Sequence, residues 1–122
     1  MRSPLGWTTA DGELQERIYN VAWSGDRGLS VDGTLPAVGN TANTETGTYT
    51  NEIGAPVLEG FWSDPDCDPA QRAFYYVRVL EILTPSWLVY DRLALGVDIP
   101  EDKTLAQQKR AYTSPIWYTP GG

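Results

Sequence analysis

The chain has 122 residues, enough for one domain with a real core and too few for two ordinary ones. Nine basic against sixteen acidic residues give a formal net charge of −7, which opposes binding to nucleic acid or to an anionic membrane, since both call for a cationic surface. The absence of histidine removes the Ser-His-Asp and Cys-His nucleophile systems together with most zinc and iron sites, and the one cysteine, Cys67, cannot form an internal disulfide.

In chain order, Trp7-Thr8-Thr9 and Glu16–Trp23 flank Asp11-Gly12, a strong short-range hairpin signal. The first run is short and starts almost at Met1, so the first strand is expected to be clipped and to leave an exposed sheet edge. Ser24 to Thr50 is dense in turn residues (Ser24-Gly25-Asp26-Arg27-Gly28, Asp32-Gly33, Val38-Gly39-Asn40), which predicts a long irregular segment over 24–50. Thr46–Asn51 and Ala55–Trp62 carry strand propensity and are expected to form a further pair, with Pro56 placing the second at an edge or making Val57 its effective start. In Asp64-Pro65-Asp66-Cys67-Asp68-Pro69, Asp68 is suited to cap a single helical turn opened by Pro69.

Phe74–Ile82 is the longest run of β-branched and aromatic residues, and its composition predicts the central strand. Alternation places Tyr75, Val77 and Val79 on one side. Phe74, Tyr76, Leu80 and Ile82 share the other, interrupted by Arg78, which is expected to pair with a carboxylate such as Glu81 or Asp91. Ser86–Gly96 predicts a short helix with Ser86 as cap and Gly96 just past its end. Val97–Asp102 is expected as a loop, Thr104–Arg110 as a helical turn, and Tyr112–Tyr118 as a final strand beside the central one. Together these elements predict a single domain over 1–122. It is mainly β, an antiparallel sandwich of immunoglobulin-like style with one or two short helical insertions.

Five segments carry a resemblance: Glu16–Arg27, Leu35–Thr41, Tyr49-Thr50-Asn51, Asp64-Pro65-Asp66 through Arg72–Ile82, and Arg110–Pro120. In order and spacing the chain resembles the C-terminal portion of a larger bacterial family, domain-of-unknown-function family 3604. Members resemble metal-dependent, phosphoesterase-like hydrolases of the polymerase and histidinol phosphatase (PHP) type and are often exported, with metal ligands upstream of the matched part. The resemblance therefore implies a non-catalytic accessory domain whose partner is a hydrolase domain. The chain departs from the family at Met1–Leu5, where an additional apolar strand is usual, at Cys67, where an aromatic is usual, and at Pro85-Ser86-Trp87, where Pro-Arg-Trp is usual.

Few residues offer chemistry. Asp64, Asp66 and Asp68 alternate as in the opening of several calcium loops, and oxygen-only ligation needs no histidine. The set lacks the turn glycine and the closing bidentate Glu, and Asp-Pro steps are common as turns and caps. The five tryptophans, Trp62 and Trp87 foremost, offer an aromatic platform for a carbohydrate or another small ligand, against the plainer role of core packing. Ser24–Gly28 lacks the Gly-Lys-Ser/Thr ending of a phosphate loop, and the acidic neighbours of Cys67 disfavour its thiolate. No catalytic residue and no cofactor is implied. The expected partners are a hydrolase domain or a second copy paired through a sheet edge. No apolar run approaches the ~20 residues of a membrane span, and Met1–Gly6 carries no signal-peptide hydrophobic region.

Overall fold

The computed structural model describes residues 1–121 and is mainly β with one short helix. The elements are β1 (Arg2–Thr8), β2 (Leu14–Asn20), β3 (Ala73–Tyr75), β4 (Arg78–Pro85), α1 (Trp87–Leu95), β5 (Ala106–Tyr112) and β6 (Ile116–Tyr118). All six strands belong to one sheet, with hydrogen-bonding order β5-β4-β1-β3-β6 and β2 on β1. The chain divides into two compact units, one of residues 1–23, 57–79 and 110–122, the other of 24–56 and 80–109.

The first unit is built on the predicted hairpin. Thr9 N–H donates to Glu13 O and Gly12 N–H to Thr9 O, with Gly12 at φ 83°, and β1 and β2 pair from Arg2↔Asn20 to Thr8↔Leu14. β1 is not the short strand expected: it spans Arg2–Thr8 and pairs with β2 along its length, and the Met1 ammonium donates to Ala22 O (2.6 Å) while Val21 N–H donates to Met1 O (3.0 Å). β1 is flanked by β2 on one side and by β3 and β4 on the other, so the edge expected there belongs to β2 instead.

The predicted central strand is present but interrupted. Leu5↔Tyr75 and Arg2↔Arg78 lie in one register, which sets Pro4 opposite Tyr76. Tyr76 N–H donates to Pro4 O (3.3 Å), but the reciprocal bond cannot form because proline has no N–H. One residue on, Val77 N–H turns to the Thr113 hydroxyl (2.9 Å), and Thr113 N–H donates to Val77 O (3.0 Å). The run therefore divides into β3 and β4 around Tyr76-Val77. The final strand does pair beside it, as Ala73↔Tyr118, Phe74↔Trp117 and Tyr75↔Ile116, although β6 covers only the end of the predicted span and Tyr112 belongs to β5.

In the second unit, α1 matches its predicted limits. Gly96 closes it at φ 67°, a left-handed conformation that disfavours side chains, and donates to Arg92 O. The Ser86 hydroxyl makes no cap bond; its backbone accepts from Val89 N–H, and Val89 is fully buried. Residues 24–50 are irregular, apart from one isolated bridge, Asn43↔Thr48. The strand expected at Thr46–Asn51 is replaced by a turn: Asn43 Oδ1 accepts from Glu45 N–H (2.9 Å) and Thr46 N–H (3.1 Å), and Gly47 N–H donates to Asn43 O. Thr44 O accepts from Arg92 of α1.

Three other expectations are corrected. Ala55–Trp62 forms no strand, and Gly60 instead lies against Val21 and Ala22. Asp68 caps a turn rather than a helical turn, with Oδ1 accepting from Ala70 N–H (2.9 Å). The helical turn expected over Thr104–Arg110 is largely strand β5, because pairing along β4 outweighs the helix preference of Gln107, Gln108, Lys109 and Arg110.

Candidate functional site

Leu5, Trp7, Arg17, Tyr19 and Tyr75 share one face of the β2-β1-β3 sheet by strand alternation and register. The loop after Trp62 is bonded to this face. The Asp66 carboxylate accepts from both the Arg17 guanidinium and the Tyr19 hydroxyl. Asp64 accepts the Tyr75 hydroxyl at Oδ2 (2.9 Å) and Asp66 N–H at Oδ1 (2.9 Å). Farther along, Tyr118 donates its hydroxyl to Pro69 O (2.9 Å). Trp62 packs between Tyr19 (ring centroids 4.9 Å) and Tyr75 (6.4 Å).

These contacts set the local protonation. The Tyr19 hydroxyl and then the Arg17 guanidinium hold the Asp66 carboxyl below the usual carboxylate range. Burial, reinforced by Asp64, raises the Tyr75 phenol well above its usual value, and burial also raises Tyr19. Charge is thus fixed at Asp66, and protons are fixed on the two tyrosines.

The loop and the face enclose a small depression lined by Leu5, Trp7, Asp64, Asp66, Cys67 and Tyr75, with a volume of about 30 Å³. That is room for a water or two and not for a sugar ring. Asp64, Asp66 and Asp68 all border it, as their spacing suggested, but their oxygens serve Tyr75, Arg17, Tyr19 and backbone N–H groups. Among the described residues no group of three His, Cys, Asp or Glu side chains is placed to hold a metal ion. The arrangement is a latch that fixes the loop to the sheet.

The family model for Protein of unknown function (DUF3604) matches residues 5–120. The chain belongs to this family. The match runs from Leu5 in β1 to Pro120 beyond β6, so the latch, β2 to β6 and the second half of β1 fall within the DUF3604 segment. No curated protein and no solved structure matches the chain.

Of the two tryptophans singled out from the DUF3604 sequence, Trp62 is half-buried in the latch, whereas Trp87 opens α1 in the second unit and is 63% exposed. Trp117, one of the five tryptophans offered as a platform but not one of the two put foremost, is 72% exposed and packs on Phe74 with ring centroids 5.2 Å apart. The signal was available in the alternation of Phe74 and Tyr76, but the β6 partner that extends this face is set by tertiary pairing. Arg78 does not find the predicted carboxylate: Glu81 lies 3.9 Å from Lys109 instead, and Arg78 Nε is buried with no hydrogen-bond partner. No helix among the described residues is long and apolar enough to cross a membrane.

Proposed function

We propose that this DUF3604 chain is a non-catalytic accessory β domain that packs against the rest of a larger protein, a metal-dependent hydrolase of the PHP type. One observation carries the reading. Among the described residues Leu5 and Val89, joined by Pro4 and Pro85, make up the buried apolar core, whereas Phe61, Leu14, Leu95, Ile116 and many others stand in solvent. Apolar surface left over on this scale supports cover by another protein surface. The same cover would supply the second layer of the immunoglobulin-like sandwich, since one sheet buries a face only against another layer. Without such a cover, a second copy pairing along β2 is the partner that the sheet edge favours. The test is deletion of the equivalent segment from a full-length relative. Loss of folded, active hydrolase is expected; an unchanged enzyme would refute the reading.

The exposure of Trp87 and Trp117 favours a second reading, a small-ligand or carbohydrate-binding module that uses exposed aromatic rings. Acrylamide quenching tests it. Two readily quenched indoles among five are expected, and five protected ones would end it.

A further inference from the structure

The sheet face opposite the latch carries the argument. Arg2, Pro4, Gly6 and Thr8 alternate along one side of β1. Arg78, Tyr76, Phe74 and Arg72 lie opposite them in turn, so all project to that side. Gly6 makes room for the first ring, since a Cβ there would collide with Phe74 Cε1. Phe74 and Tyr76 are near-parallel, at 7° with centroids 6.4 Å apart. Trp117 lies 5.2 Å from Phe74, tilted by 41°, and Tyr112 lies 6.2 Å from Tyr76, tilted by 33°. Trp117, Phe74, Tyr76 and Tyr112 thus form a continuous row whose end rings are 72% and 57% exposed.

The cations are distributed unevenly. Of the nine basic residues, Arg17, Arg27, Arg92, Lys103 and Lys109 are bonded to carboxylates or carbonyls. Among the described residues, the remaining four make no ion pair. Arg2, Arg72 and Arg78 bracket the two central rings, and Arg110 stands two residues before Tyr112 on the same side of β5. Arg2 and Arg78 are directly opposed, a like-charge pair that costs stability when nothing neutralises it, and the buried Nε of Arg78 lacks a protein partner. Glu16, opposite Gly6, is the acidic residue that the β1–β2 register brings to this face.

We propose that this face binds an acidic oligosaccharide, with sugar rings lying along the aromatic row and their carboxylate or sulfate groups taken by the flanking arginines. The C–H-rich face of a pyranose is apolar and meets the negative face of an aromatic ring, and rings spaced about one sugar unit apart suit a chain of them. Guanidinium groups match planar carboxylates and sulfates in charge and geometry. The inference rests on the second reading above and adds the ligand class and the residues. It draws on Trp117 rather than on Trp62 or Trp87.

The experiment titrates the folded chain with alginate oligosaccharides and with heparin-derived oligosaccharides, following tryptophan fluorescence and binding heat. Cellohexaose is the uncharged control, and polyglutamate represents an acidic peptide. At least one acidic glycan is expected to bind roughly tenfold or more tighter than cellohexaose, and which of the two binds distinguishes carboxylate from sulfate recognition. Trp117→Ala, and Arg72→Gln combined with Arg110→Gln, are each expected to weaken binding about tenfold, while Trp87→Ala leaves it unchanged. All these positions are exposed, and circular dichroism verifies that each variant is folded. Absence of binding by both acidic glycans, equal binding of polyglutamate, or a neutral Trp117→Ala would overturn the proposal. Acrylamide separates the two levels. A Trp87→Phe chain whose Trp117 resists quenching refutes the exposed-ring reading itself, whereas quenching without glycan binding refutes the ligand class alone.

Discussion

Asp66 is exposed, yet it ties the loop to the sheet through two partners, and its titration reports on that tie. Its folded pKa lies below the ordinary 3.8, so its contribution to stability is present above that value and is lost as pH falls through the lower folded pKa. Urea midpoints measured against pH should show wild type more stable than Asp66→Asn at neutral pH, with the gap closing below pH 3.8. A gap independent of pH would mean that the Tyr19 and Arg17 bonds carry no charge preference. Tyr75 has the opposite sign. Its phenol is raised by burial and by Asp64, so its contribution is complete below the ordinary 10.0 and is lost as pH rises beyond it. Tyr75→Phe should cost about 1 kcal/mol near neutrality, the worth of one hydrogen bond, and should remove this alkaline loss. A variant that unfolds with the wild-type alkaline profile would contradict the assignment.

At the scale of elements, Gly6 and Phe74 show how one strand accommodates its neighbour. A methyl group at Gly6 must displace the Phe74 ring, so Gly6→Ala should cost about 1–3 kcal/mol in urea denaturation. In the double variant with Phe74→Ala that penalty should largely vanish, because the clash is with the ring alone. Additive costs would place the strain in the backbone instead. The same scale explains what could be read from the chain beforehand. The Asp11-Gly12 turn, the Ser86 and Gly96 limits of α1 and the irregular 24–50 segment are local, and local residues encode them. β5 is not local: Gln107, Gln108, Lys109 and Arg110 prefer helix and become strand only because β4 offers a ladder. The break between β3 and β4 required knowing that Pro4 faces Tyr76, a fact of register rather than of composition. The candidate site divides in the same way. The clustering of Asp64, Asp66 and Asp68 was legible, but that their oxygens bond Arg17, Tyr19 and Tyr75 was not.

For the whole molecule, the edge strand and the exposed apolar side chains bear on how the chain behaves alone. Val21 N–H donates to Met1 O, which places the bonded pairs of the β1–β2 ladder at the odd-numbered residues of β2. The N–H groups of Glu16 and Ile18 therefore point away from β1, along the free edge, and both side chains are exposed. An edge with unpaired donors and an exposed Ile18 is a template for pairing with another chain. Size-exclusion light scattering of the purified chain is expected to show a mass that rises with concentration. Ile18→Pro should return the mass to that of a monomer, because the N–H that it removes bonds nothing within the sheet. Its urea midpoint should stay close to wild type, as expected when no ladder bond is lost. If Ile18→Pro self-associates as wild type does, the contact lies off the β2 edge, on the apolar side chains that the accessory reading assigns to a neighbouring domain. If wild type is monomeric at every concentration, the β2 edge is not a pairing surface.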